Sequence, residues 1–262
     1  RSGAKNSSNC PFIVDSEGFF GMESKLIHGS RESIVNITGN GSFERRSKEF
    51  YAEVDGALRL GSVFGATISV MPDIAWMYYT SANGFIVLAP YVDPSDYNFN
   101  MDNPVTKEFF TGVTPQNNPK RERFWTGAYM DGAGKGMMVT LSTPVYNGDR
   151  FLGSISLDYT LGVLSNFVQG FGYELLLINS QNEILAHPTL LQNSDTIKSI
   201  DSTLPSVISS KIKSLPLKGS FADEVEGFLV YVESFEDIPW RLVLIADKDS
   251  IYEESIIEKM ES

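Results

Sequence analysis

A carboxylate at the end of an apolar run demands a partner. Asp158 closes Gly153-Ser154-Ile155-Ser156-Leu157. Burying it alone is very costly, so it must be solvated, cap backbone amides around Leu161, or be paired. Asp131 is a second acid, and an Asp131/Asp158 dyad could in principle serve a small hydrolase. The stretch Asp131-Gly132-Ala133-Gly134-Lys135-Gly136 looks like a phosphate cradle but lacks the P-loop spacing and its Gly-Lys-Ser/Thr ending. A β-turn between two strands is expected there instead. His28 and His187 are the only histidines and Cys10 the only cysteine. An intrachain disulfide, a cysteine zinc cluster and a multi-imidazole metal site therefore have no material. No nucleophile elbow or cofactor loop is present, so no catalytic residue, metal or cofactor is assigned.

Three further side chains carry chemistry in one reading and none in another. Arg123 sits in Lys120-Arg121-Glu122-Arg123, either a solvated charge run or a pocket-facing cation. Trp125 is a core or lid aromatic, or a ligand contact. Tyr78 and Tyr79 alternate faces if they lie on a strand, with Tyr78 expected as the pocket wall. Glycosylation sequons stand at Asn6, Asn36 and Asn40.

Bulk composition narrows the function classes. The 262 residues hold 21 Lys+Arg against 33 Asp+Glu, a formal charge of −12 and a pI near 4.6. Nucleic-acid phosphates and anionic membrane surfaces both need a basic footprint, so neither is an expected partner. Apolar residues at 42 % suffice for a core, and the length suits one large or two modest domains. No run approaches the ~20 apolar residues of a membrane-spanning helix.

The elements that must position these groups read as α+β. A hairpin is expected over 12–20, then a helix from an N-cap at Ser42 to about Val70. Its stripe comprises Phe43, Phe50, Val54, Ala57, Leu58 and Leu60, with a break or kink at Gly61 and Gly65. Strands follow at 74–80 and 85–88, joined by Ser81-Ala82-Asn83-Gly84. Residues 91–119 read as a long irregular connection. Strands at 127–130, 136–146 and 151–159 come next, the last two joined by an Asn147-Gly148 turn, then a short helix over 160–168. The second half repeats the plan with strands at 173–179, 184–187, 219–224, 227–235 and 240–246. A polar helix spans about 194–214, and an amphipathic helix 251–260. Two helix-backed antiparallel sheets fit this order better than alternating βαβ units.

Four stretches resemble the double Cache family of tandem PAS-like extracytoplasmic sensor domains. They are Trp76-Met77-Tyr78-Tyr79-Thr80-Ser81, Arg123-Phe124-Trp125 with Tyr129-Met130-Asp131, Val139 to Tyr146, and Gly153 to Asp158. Ile178-Asn179-Ser180 and Pro239-Trp240 extend the likeness into the second half. The resemblance implies two PAS-like modules with antiparallel sheets, preceded by an N-terminal helix. Its boundaries fall at 1–44 for the opening segment and helix start, 45–167 for a membrane-distal ligand-binding module, 168–250 for a membrane-proximal one, and 251–262 for a helix leading to a membrane span. Family members that bind amino acids hold the ligand carboxylate with an Arg-x-Trp element, matched here by Arg123 and Trp125. A Tyr-x-Asp element matches Tyr129 and Asp131, and the later acid that meets the ammonium matches Asp158. The chain departs from them at Thr126 and Asn118, where tyrosines are expected, and in a shortened stretch from Trp125 to Tyr129.

The resemblance implies a small-molecule sensing domain of a transmembrane receptor, a histidine kinase, diguanylate cyclase or chemoreceptor, with the histidine kinase as the expected parent. It also implies an extracytoplasmic (periplasmic) location, a membrane-anchored full-length protein, and a homodimer. The expected ligand is an amino acid, an amine or a small carboxylate, and the fragment itself is read as no enzyme. The carboxylate-dyad hydrolase and a free solute-binding protein are the alternatives.

Overall fold

The computed structural model describes residues 13–16, 18–22, 26–27, 31–32, 34–92, 103–171, 173–189 and 196–249. They form β1 (Ile13–Ser16), β2 (Phe19–Met22), β3 (Leu26–Ile27), β4 (Arg31–Glu32), β5 (Asn36–Asn40), α1 (Lys48–Val70), β6 (Trp76–Ser81) and β7 (Phe85–Ala89). A 3-10 turn (Pro104–Thr106) and α2 (Glu108–Thr111) lead to β8 (Phe124–Trp125), β9 (Tyr129–Met130), β10 (Met137–Asn147), β11 (Arg150–Thr160) and α3 (Leu161–Asn166). The rest are β12 (Glu174–Asn179), β13 (Ile184–Ala186), α4 (Ile200–Thr203), α5 (Ser206–Ser214), β14 (Ser220–Val225), β15 (Phe228–Ser234) and β16 (Trp240–Asp247). Among the described residues no helix is long and apolar enough to cross a membrane.

The described residues pack as two units. One takes residues up to Thr126 together with Asp131–Lys135 and Thr140–Tyr159; the other takes Gly127–Met130, Gly136–Val139 and the residues from Thr160 onward. The first is built on a sheet ordered β1-β2-β5-β7-β6-β11-β10-β8, while β9 pairs Met137 and Met138 at the start of β10, which belong with it to the other unit. One face of that sheet meets α1. Phe50, Val54, Ala57, Gly61 and Phe64 recur at three- and four-residue steps and form the buried stripe of the helix. They pack with Phe20, Ile37, Tyr79, Phe85 and Val87 from four strands. The rings of Phe50 and Phe85 lie 5.5 Å apart, edge to face.

Local chemistry explains where the helix differs from expectation. Its N-cap is Ser47, whose hydroxyl accepts the Phe50 N–H at 3.2 Å, whereas Ser42 accepts the N–H of Glu44 in the preceding turn. The helix also passes through Gly61 and Gly65 without ending. A Cβ at Gly61 would stand 3.0 Å from the Val35 side chain, and one at Gly65 2.7 Å from Ile34. These glycines admit the chain leading into β5. Among the described residues ahead of the helix, β1, β2 and β5 lie side by side in the sheet, with β5 against β7. Asn36 lies 2 % exposed in β5, donating to the Val92 carbonyl at 2.8 Å, so in the folded chain it is no acceptor for a glycan.

The second unit carries the sheet β13-β12-β16-β15-β14. Val243 and Ile245 share a face with Arg241, whose guanidinium donates to the Ile212 carbonyl of α5, which places that helix on the same face. The single polar helix expected over 194–214 is two, α4 and α5, interrupted at Leu204-Pro205. The proline cannot donate into a continuing helix, and the residue before it is pushed to an extended conformation. The amphipathic helix expected over 251–260 lies outside the described residues.

Candidate functional site

The face of the first sheet opposite α1 is polar. Along β6, Tyr79 and Met77 turn toward the helix, so Trp76, Tyr78 and Thr80 turn away from it. Across the ladder from them on β11 stand Asp158, Ser156 and Ser154, in direct register. Thr140 and Ser142 of β10 reach the same strip, as Thr140 bonds to Asp158 and Ser142 to Ser156. Five hydroxyl residues here (Thr80, Thr140, Ser142, Ser154 and Ser156) have no exposure at all.

Asp158 is 3 % exposed, and its Oδ1 accepts the Tyr78 phenol at 2.9 Å and the Thr140 hydroxyl at 2.7 Å. Of the alternatives open to it, pairing is the one realised. The hydroxyl that caps α3 belongs to Thr160, which accepts the Val163 N–H. Tyr78 is held in turn by the edge of Phe109 from α2, with ring centroids 5.1 Å apart.

Asp131 opens the turn that follows β9. Its Oδ2 accepts the Trp76 indole N–H at 3.2 Å and the Lys135 amide at 2.8 Å, so it ties the turn to β6. Gly134 at φ 88° and Gly136 at φ 91° provide the left-handed steps that fold Lys135 back. The Lys135 ammonium then sits 3.5 Å from the centroid of the Trp76 indole and donates to the Ala75 carbonyl at 2.5 Å. Desolvation pulls the Lys135 pKa below the ordinary lysine value, and the charges of Asp131 and Asp158 oppose that pull. The glycine-rich stretch is thus a turn carrying a cation.

The structure brings Tyr78, Asp131 and Asp158 together through Trp76, Thr140 and Lys135. Arg123 is placed elsewhere. It is exposed and lines a cleft of about 410 Å³ with Glu108, Asn117, Asn118, Glu122 and Phe124. That cleft shares no residue with the Asp158 network. Asn118 braces its rim, donating to the Glu122 carbonyl at 2.6 Å and accepting the Glu122 N–H at 3.0 Å. Trp125, half-buried, pairs with Leu141 and so shares a face with Leu141 rather than with Thr140 and Ser142. Tyr129 pairs with Met138 and packs with the second unit.

Lys135 and Thr140 join the site without having been singled out from sequence. Trp76 had a readable signal, standing two residues from Tyr78 on one strand. Among the described residues no three His, Cys, Asp or Glu side chains gather to hold a metal ion. Two carboxylates, an indole face and a phenol can receive an ammonium by charge and cation–π attraction, while Lys135 or Arg123 could meet an anion.

No protein-family profile and no curated protein matches the chain. Solved structures do. The ligand-binding domain of the amino acid chemoreceptor PctB of Pseudomonas aeruginosa, in complex with L-Gln, aligns at 19% identity over 82% of this chain and 84% of that one, with a TM-score of 0.53. The ligand-binding domain of the Pseudomonas fluorescens chemoreceptor CtaA, in complex with L-isoleucine, aligns at 17% identity over 71% and 74%, TM-score 0.51. The sensory domain of the Campylobacter jejuni chemoreceptor CcmL aligns at 15% identity over 75% and 76%, TM-score 0.52. Identities this low carry the architecture and nothing finer. The chain has the α+β fold of the double Cache ligand-binding domains.

Proposed function

We propose that the chain is the extracytoplasmic sensing domain of a membrane-anchored receptor, and that it binds a small molecule bearing an ammonium group on the polar face of its first unit. The single observation behind this reading is the convergence of Asp158, Tyr78, Asp131 and Trp76 on one side of the sheet. An amino acid satisfies that chemistry best and an amine supplies only its ammonium part; a small carboxylate would have to rely on Lys135 or Arg123. A histidine kinase is the parent expected from the sequence. The solved domains of like fold named above come from chemoreceptors, and we take a chemoreceptor as the parent instead. In either parent the ligand must favour one of two receptor states, because binding both equally shifts nothing.

Thermal denaturation with a panel of amino acids, amines and small carboxylates tests the site. A ligand at a hundred times its Kd stabilises a domain by about 2.7 kcal/mol, a rise of roughly 5–10 °C for a chain of this size. Asp158→Asn keeps an acceptor for Tyr78 and Thr140 while deleting the charge, and Asp131→Asn does the same at the turn. Both variants should lose the rise. An equal rise in wild type and both variants would remove the site, and so would a panel that leaves wild type unmoved. Conversion of a bound compound, followed by NMR, would favour the hydrolase instead.

A further inference from the structure

We propose that Lys135 is a built-in competitor, its ammonium seated where a ligand's ammonium would go and displaced when the ligand binds. The inference rests on the reading of the site given above and adds a determinant of specificity to it. As a residue Lys135 is exposed, yet its ammonium does not extend into solvent. It lies over the Trp76 indole and on the Ala75 carbonyl, and the Ala75 N–H in turn bonds the Asp158 carbonyl at 2.8 Å. Trp76 itself stands directly opposite Asp158 in the ladder and donates its indole N–H to Asp131. A lysine free to choose would keep its compact, strongly hydrated charge in water.

The seat has the features a guest ammonium requires: an aromatic face, a carbonyl acceptor and two nearby carboxylates. The tether makes occupation intramolecular, so Lys135 acts at a high effective concentration. Its backbone N–H is fixed by Asp131, and the glycines at 134 and 136 leave the turn free of side-chain obstruction, so the side chain can swing out without unfolding a strand. Occupation by Lys135 imposes a threshold: only a guest with further contacts, such as an α-carboxylate or a long side chain, outcompetes it. A bare monoamine should bind poorly until the lysine is removed.

Isothermal titration of wild type, Lys135→Met and Lys135→Gln with propylamine, L-glutamine and propionate tests this. Propylamine should bind both variants at least about tenfold more tightly than wild type, the factor expected when nine-tenths of the sites are self-occupied. In the NMR spectrum of wild type the ε-methylene protons of Lys135 should be displaced by the Trp76 ring current, and should return to the ordinary lysine position as L-glutamine is added. Unchanged amine affinity in both variants overturns the proposal, as does an ordinary ε-methylene position in the unliganded protein. Weaker binding of propionate and L-glutamine in the variants, with no gain for propylamine, also overturns it and makes Lys135 an anchor for the carboxylate. If wild type responds to L-glutamine and Asp158→Asn does not, the ligand site stands whatever the lysine variants do. If no probe binds wild type or either variant, both readings fall.

Discussion

Tyr78 and Tyr79 are consecutive residues with opposite surroundings. Tyr78 donates to Asp158, whereas Tyr79 donates to Glu53 of α1 at 2.8 Å and to the Leu152 carbonyl at 3.1 Å. Ser81 and Asn83 also bond Glu53, so this carboxylate pins the β6–β7 hairpin to the helix. Burial first, then the charge of Glu53, pushes the Tyr79 pKa up from its ordinary value. The folded value exceeds the unfolded value of about 10, so the unfolded chain loses this proton first as pH rises. The stabilisation is fully present below that pH and is lost as pH climbs toward the folded value. Urea titrations between about pH 8 and 11 should therefore show wild type weakening more steeply than Tyr79→Phe above pH 10; parallel slopes would refute the assignment. At this scale the sequence was informative where alternation decides the outcome, as for Tyr78, but it left Asp158 open among solvation, capping and pairing, a choice made by Tyr78 and Thr140 across the sheet. It was uninformative for Lys135, because the lysine's position depends on a left-handed turn and on an indole about sixty positions away in the chain.

Elements with strong local signals stand close to their expected places. The hairpin β10–β11 follows from an Asn-Gly turn between alternating apolar residues, and α1 from its apolar stripe. The two-residue strand β8 has no periodicity to detect and exists only because β10 offers an edge. The glycines in α1 misled for a related reason: their purpose is a tertiary contact, and local propensity does not record contacts. Gly153 shows the same principle at its strictest. At φ 154°, a Cβ there would lie 2.0 Å from the Thr80 carbonyl oxygen in the neighbouring strand. Backbone cannot yield as a flexible side chain does. Gly153→Ala should cost at least about 3 kcal/mol in urea denaturation, and a loss under about 1 kcal/mol would refute the close approach of Gly153 to the Thr80 carbonyl.

On the scale of the whole molecule, the chain resolves into two packed units, and the candidate site lies on the first. The sequence conveyed that there are two helix-backed sheets, since the order of strands and turns is repeated. It did not show that residues 13–40 contribute β1, β2 and β5 to the first sheet, because such pairing joins segments far apart in the chain. Hydrogen exchange with and without a binding amino acid should show new protection concentrated in β6, β10 and β11 of the first unit. Protection confined to β12–β16 would move the site to the second unit.

The hydroxyls of Thr80 and Ser154, neighbours across the β6–β11 ladder, are buried without a hydrogen-bond partner. Each represents an outstanding debt of solvation. Both residues have no exposure, so no guest can settle it from outside without parting β6 from β11. The unpartnered hydroxyls make this stretch of the ladder the weakest seam of the polar face, the place where two strands lose least by moving apart.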